Sequence, residues 1–202
     1  MSSKRTAIVT GASQGIGAVL VEAIVNAGHN VVATSRNVNQ SLAASSNLVL
    51  VAGDIGKKET AAKVVVAAME KFGSIDLLVT NAGIFSTKPF TEFTTDDFNA
   101  LVSTNLLGFL YITQLAVERM RKHKSGAVVS ITAALADQPI AGVNAAVPMI
   151  TKGGLNAVIN SLAIEYAKGG IRFNAVAPGI VDTPMHKDNP KDFLRTLQRW
   201  SP

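Results

Sequence analysis

The sequence predicts an α/β fold, a parallel sheet with helices on both faces, on the basis of three observations. Short apolar segments alternate along the chain with longer segments that carry apolar residues at helical spacing. The apolar segments are nearly continuous, as expected of strands buried on both faces. With 202 residues, 48% of them hydrophobic, the chain can bury a substantial core. We therefore expect βαβ units in a single domain over residues 1–202.

Six apolar segments are predicted strands. The first, residues 6–10, leads directly into a glycine-rich turn. The other five are predicted at residues 30–35, 48–52, 75–80, 127–131 and 171–177.

Four helices are predicted between these strands. Gly28 ends the first, residues 15–27, and Gly73 ends the second, residues 57–72. Thr94 and the acidic residues after it predict the start of a third helix that runs to about His123. The fourth is predicted at residues 148–168, again followed by glycines. The polar residues 182–202 are predicted to form a loop with one short helix at 191–199.

The composition excludes several classes of protein. Without cysteine the chain has no disulfide scaffold, thiolate metal site or cysteine nucleophile. The net charge of +5 is dispersed, and the densest basic cluster, residues 119–124, lies at a predicted helix end where cations are favourable. Nucleic acid is therefore not an expected partner. No apolar run reaches the length of about 20 residues that spans a bilayer, and the N-terminus is too short for a signal peptide. We expect a cytoplasmic protein with no membrane partner.

The turn after the first strand indicates a phosphate-binding site. Gly11, Gly15 and Gly17 stand in a Gly-x-x-x-Gly-x-Gly pattern between this strand and its helix. Glycines permit a tight turn and a close approach of the backbone to a phosphate, which then faces the positive helix N-terminus. Ser13, Gln14 and Ile16 complete this predicted site.

The end of the second strand bears on the choice of dinucleotide. An acidic residue in this region would bind the ribose hydroxyls of NAD, and the chain has Ser35 and Arg36 there instead. An arginine is suited to a 2′-phosphate. NADP is therefore predicted in preference to NAD.

Taken in order, these motifs resemble a classical short-chain dehydrogenase/reductase. Thr10–Gly17 matches the family's cofactor motif, Asn81-Ala82-Gly83 its Asn-Ala-Gly motif, and residues 151–155 its catalytic lysine segment. The resemblance implies a Rossmann-type doubly wound sheet, a small alcohol or carbonyl substrate, and a homodimer or homotetramer. It implies catalytic roles for Asn105 and Lys152. It also implies cofactor contacts at Asp54, Ile55, Asn81, Ala82, Gly83, Lys152, Pro178, Gly179, Ile180 and Thr183.

Two positions depart from the family's chemistry. The family has a tyrosine four residues before the lysine, on the same helix face, and this chain has Pro148. The family's serine after the fifth strand aligns with Ala133. The interval between these two positions is slightly longer than usual, so Ser130 and Thr132 remain alternative hydroxyls. Neither Pro148 nor Ala133 can donate a proton.

Other proton donors are few. Tyr111 and Tyr166 are predicted to pack in the core, and His186, on the predicted substrate loop, stays a candidate acid. Two functions therefore remain open: an impaired NADP-dependent oxidoreductase, and a non-catalytic nucleotide-binding protein that acts as a sensor or assembly partner.

The resemblance covers residues 6 to about 186. Members of the family continue with another helix and a seventh strand, so the sixth strand is expected to form an edge of the sheet.

Overall fold

The fold is a six-stranded parallel sheet with helices packed on it, seen in a computed structural model that describes residues 4–38 and 42–186. The strand order is β3-β2-β1-β4-β5-β6. The strands are β1 (Thr6–Thr10), β2 (Asn30–Ser35), β3 (Leu48–Ala52), β4 (Leu77–Thr80), β5 (Gly126–Ile131) and β6 (Ile171–Val176). The predicted fold class is confirmed.

The strand order reverses beside β1. The chain passes outwards from β1 through β2 to β3, then returns to place β4 on the other side of β1. In open α/β sheets, ligands bind at such a switch point, outside the carboxyl ends of the strands. The fold therefore places the ends of β1 and β4 at the expected ligand crevice.

Helices cover both faces of the sheet, but unequally. They are α1 (Gly15–Asn26), α2 (Lys58–Phe72), α3 (Thr95–Leu101), α4 (Gly108–His123) and α5 (Ala146–Tyr166). Neighbouring residues of β1 point to opposite faces, so Ile8 packs with α2, α4 and α5, whereas Val9 packs with α1. Two apolar cores result, one on each face.

The edge strand β6 departs from the predicted two-sided burial. Ile171 and Phe173 are buried, whereas Arg172 and Asn174 are exposed. Helix α5 packs on the face that carries the two buried side chains. The expected edge position is confirmed.

The third predicted helix is divided by a π-helical segment. Thr94 and Asp97 form a capping box at the start of α3, and residues Val102–Leu107 form the π segment before α4. Such segments are frequent at functional sites because they displace the ladder of backbone hydrogen bonds. Asn105 lies within it.

The continuous helical stretch Thr95–His123 is the one described helix that is long and apolar enough to cross a membrane by composition. Its apolar side chains Ile112, Ala116 and Met120 are fully buried in the core of the domain. Packing against the sheet therefore accounts for the apolar residues on the buried face of this helix.

Several predicted boundaries were wrong by one to two residues. Helix α5 begins at Ala146 rather than Pro148 and ends at Tyr166, because a 3₁₀ turn, Ala167–Gly169, and the left-handed Gly170 follow it. The predicted helix at 191–199 lies outside the described residues.

Candidate active site

A cavity of about 540 Å³ opens at the carboxyl ends of the strands. It brings together nearly all the predicted site residues from six separate stretches of the chain. Those that line it are Gly11, Ser13, Gln14, Gly15, Ile16, Ser35, Arg36, Asp54, Ile55, Asn81, Ala82, Gly83, Lys152, Pro178, Gly179, Ile180 and Thr183. Gly17 and Asn105 do not line it.

The glycine turn forms the floor of the cavity at one end. Gly11 and Gly15 have φ values of 66° and 55°, which side chains disfavour. A Cβ at Gly11 would lie 2.7 Å from Ala82 Cα, and one at Gly17 would overlap Gly11 O. Gly17 therefore acts by packing beneath the turn, although it does not line the cavity.

Hydrogen bonds join this turn to the end of β4. Asn81 Nδ2 donates to Thr10 O and to Gly11 O, both at 3.0 Å. Thr10 Oγ1 accepts from the backbone N–H groups of Asn81 and Ala82. The polar side chains here hold the two strand ends together, and the backbone is left facing the cavity.

The N-terminus of α1 meets the cavity without a competing anion. No side chain caps it, and its first turn holds no acidic residue. The helix dipole and the N–H groups of the first turn therefore favour a phosphate at this position.

The end of β2 offers further polar groups. Arg36 is exposed at the cavity, next to the buried hydroxyls Thr34 Oγ1 and Ser35 Oγ. These two hydroxyls have no hydrogen-bond partner within the described residues. Buried polar atoms without a partner are costly and call for an explanation, which an ordered ligand or water would supply. The glycine floor and these hydroxyls fit the phosphates and ribose of a dinucleotide.

Lys152 lies at the opposite end, on α5. It is 9% exposed, and its Nζ donates to Ile131 O at 2.9 Å. Burial lowers the pKa of Lys152 to about 8, because a low-dielectric environment disfavours the ammonium. The Lys152 side chain forms no ion pair with any described residue. The one ion pair within the described residues joins Lys88 to Asp97.

Asn105 supports the wall behind Lys152. Its Nδ2 donates to Ile84 O and to Thr151 Oγ1, and its Oδ1 accepts from Ile84 N at 2.9 Å. The side chain is 2% exposed and all its hydrogen-bonding groups are engaged. It joins α5 to the segment after β4, so its side chain positions the site from outside the cavity. The catalytic role that the resemblance implies for it stays a prediction.

Pro148 fits the fold where the family has its tyrosine. It is the third residue of α5, so its missing N–H would have no partner inside the helix. Its carbonyl accepts from Thr151 Oγ1 at 2.8 Å. The ring is buried and does not line the cavity.

Two other hydroxyls, those of Ser130 and Thr132, lie close to Ala133, which follows the end of β5. Ser130 Oγ pairs with Thr80 Oγ1 at 2.6 Å in the interior, and Thr132 Oγ1 donates to Val176 O at 3.4 Å. Ser130 is thus engaged away from the cavity, whereas Thr132 lines the cavity wall, and its use in place of the serine stays a prediction. Ala133 presents only its methyl group.

The other candidate donors lie elsewhere. Tyr111 and Tyr166 pack against the core, as expected, and the Tyr166 ring lies 5.7 Å from that of Phe173. Neither lines the cavity. The side chain of His186 lies outside the described part of the structure, so its role stays a prediction.

The end of the cavity near Lys152 has a mainly apolar wall that the sequence did not reveal. Its apolar members are Ile84, Phe85, Leu135, Val143, Val181 and Met185, with Ser86, Thr87 and Thr104 as neutral polar members. The loop between β5 and α5 supplies Leu135 and Val143, and Lys88 N donates to Asn144 O at 3.0 Å to tie it to the loop after β4. The one available signal was the slightly long interval between Ala133 and Pro148.

Comparison with known proteins agrees with this arrangement. Residues 5–193 match the family model described as short chain dehydrogenase. A chloroplastic tropinone reductase homolog of Arabidopsis thaliana is 32% identical over 209 residues, and the match covers 98% of this chain and 64% of that protein. The chain thus spans less than two thirds of that relative.

Two solved structures with bound nucleotides are also similar. The 3-ketoacyl-(acyl-carrier-protein) reductase of Brucella melitensis, complexed with NADH, has a TM-score of 0.87 at 26% identity, covering 95% of this chain and 82% of that one. ElxO with NADP bound has a TM-score of 0.82 at 28% identity, covering 98% and 77%.

Proposed function

Because the chain belongs to the classical short-chain dehydrogenase/reductase family, we propose that it binds NADP(H) and is an impaired oxidoreductase for small alcohols or carbonyl compounds. The observation that carries the proposal is the contrast within one cavity. Backbone and polar groups suited to a dinucleotide line one end, whereas Ala133 and the buried Pro148 leave the other end without the family's hydroxyls.

The preference for NADP rests on the end of β2. Arg36 lines the cavity beside Ser35, and the described residues place no carboxylate on that strand end to bind a ribose diol. Asp54, at the end of β3, accepts from Gly56 N at 2.9 Å, which holds its carboxylate toward its own loop. A guanidinium in this position favours a 2′-phosphate.

The proton is the limiting part of the reaction. The nicotinamide supplies or accepts the hydride when it is bound. Lys152 is the only ionisable side chain that lines the apolar end of the cavity in the described part of the chain, so a proton comes from its Nζ or through water. A missing general acid lowers rates by about 10²–10⁴.

Two measurements test the proposal. Calorimetric titration should give NADPH binding on the order of micromolar, tighter than NADH. Assays of NADPH oxidation with a panel of aldehydes and ketones should show slow turnover. No detectable nucleotide binding would contradict the proposal.

The second candidate is a nucleotide-binding protein without catalysis, a sensor or assembly partner. The engagement of both Ser130 and Thr132 by other strands favours it. Tight NADPH binding with no oxidation of any panel compound would support this candidate, and brisk oxidation would eliminate it.

We also propose a homodimer or homotetramer in the cytoplasm that forms through the long helices α4 and α5. On α5, Leu155 and Ile159 are buried, whereas Val158 is exposed and Ile164 is 81% exposed. These outward apolar residues support contact with a second copy. Light scattering should give a mass of two or four chains.

A further inference from the structure

Lys152 is unusual among the described lysines because it combines burial with a position in the cavity wall. Its ammonium has one hydrogen bond, to Ile131 O, and it has no carboxylate partner in the described structure. The acidic residues on the surrounding loops, Asp54, Asp137 and Asp182, are all exposed. Burial alone therefore governs the proton affinity of this amine.

Within the described residues, no acidic side chain lines the end of the cavity that holds this amine. Gly83 has no side chain, and a Cβ there would lie 3.2 Å from Lys152 Nζ. Ala133 ends in a methyl group, and Pro148, one helical turn before Lys152, has no hydroxyl. The two family positions that would carry a phenol and a serine, 148 and 133, therefore give the lysine no hydroxyl partner.

Burial makes the amine available at neutral pH. With the pKa of Lys152 at about 8, about a tenth of the side chain is the free amine at pH 7, against less than about a thousandth for a lysine with the ordinary pKa of about 10.4. A desolvated lysine of this kind is a nucleophile toward carbonyl carbon.

From this geometry we infer that Lys152 is a covalent site for apolar aldehydes, which it captures as an imine. The wall beside it, with Ile84, Leu135 and Val143, provides apolar surface for the aldehyde chain. The inference goes beyond the proposed function, because the capture requires no bound nucleotide.

The step balances without a further reactant. The amine lone pair forms the C–N bond, and the two amine hydrogens leave with the carbonyl oxygen as one molecule of water. The imine nitrogen then takes up one proton from solvent, and the N–H group so formed can donate to Ile131 O, the acceptor that Nζ uses in the free protein. The backbone is thus arranged to stabilise the product as well as the amine.

The test uses the full chain at pH 7, without nucleotide, with hexanal and cyanoborohydride to trap the imine. Peptide mass mapping then gives the alkylation rate of each lysine. Lys152 should react about tenfold or more faster than the exposed Lys63 and Lys168. Equal or slower reaction at Lys152 would overturn the inference.

Two variants make the assignment specific. K152R removes the amine, so the fast alkylation seen at Lys152 should be lost. K88R is the matched control, because Lys88 lies on the loop beside the cavity but is held by Asp97 at 2.6 Å. In this variant the fast alkylation of Lys152 should remain. Loss of the fast alkylation at Lys152 in K88R would also overturn the inference. So would an equally fast alkylation that persists in K152R. NADPH binding is measured separately, so failure here leaves the proposed function intact.

Discussion

The two ends of the cavity differ in how strictly the backbone limits their side chains. At the glycine turn, Gly11 and Gly17 leave no room for a Cβ, and Asn81 holds the ends of β1 and β4 together. At the other end, Pro148 lies in the first turn of α5, where proline costs a helix little. A side chain at the turn strains the backbone that faces the cavity, whereas the fold accommodates Pro148 and Ala133 at the other end. The fold itself thus maintains the nucleotide end and leaves the chemical end free to change.

The largest effect should come from restoring the missing hydroxyls. The double variant A133S/P148Y should raise the rate of NADPH oxidation by about 10²-fold or more, because it supplies both a general acid and a hydrogen-bond donor. Steady-state assays with the same carbonyl panel measure this gain.

The matched control is P148A, which removes the ring without adding a phenol and should give no gain. If the double variant folds, binds NADPH and stays as slow as the wild type, the apolar wall and not the proton donor limits the chemistry. The account of the chemical end would then be wrong.

The buried charge at Lys152 should destabilise the protein below pH 8. Its folded-state pKa lies near 8 and its ordinary value near 10.5, so between these values the unfolded chain binds the extra proton and stability rises with pH. At pH 7, removal of the buried charge in K152M should raise the free energy of unfolding by up to about 3 kcal/mol. The lost hydrogen bond to Ile131 O should lower it by about 1 kcal/mol.

Urea unfolding of both proteins at pH 7 and at pH 10.5 measures this difference. The advantage of K152M should shrink as the pH rises through this window. An advantage that does not change with pH would show that the ammonium is not penalised in the folded protein.

A side chain at the turn should weaken nucleotide binding. In G11A the new Cβ meets Ala82 Cα at 2.7 Å and the residue keeps a positive φ, so NADPH affinity should fall by about 10–100-fold, equivalent to about 1–3 kcal/mol. Calorimetry measures the change. G154A is the control, because nothing lies within 4 Å of a Cβ there, and its affinity should match that of the wild type.

The smallest effect is expected at Arg36. R36A should lower NADPH affinity by about tenfold and leave NADH affinity unchanged, because an exposed charge–phosphate contact is worth about 1–1.5 kcal/mol. The exposed Arg172 on β6, away from the cavity, serves as the control in R172A. An equal loss for both nucleotides would remove the argument for NADP.

The same contrast explains what the sequence could and could not predict. The glycine turn and Lys152 were predictable because each lies in a short local pattern with a physical reason for its spacing. The π segment around Asn105 was not, because its residues continue an ordinary helical pattern. The hydroxyl of Thr132 bonds to Val176, 44 residues away, and only the pairing of β5 with β6 determines this contact. Leu135 and Val143 lie on loops without periodicity, so their place in the cavity wall depends on tertiary packing.

A crystal structure with NADP⁺ bound tests the central claim most directly. We expect the nucleotide in this cavity, its phosphates at the N-terminus of α1, with Lys152 as the only ionisable side chain among the described residues near the reactive carbon of the nicotinamide. A nucleotide bound elsewhere, or a phenol or hydroxyl positioned over that carbon, would contradict the account.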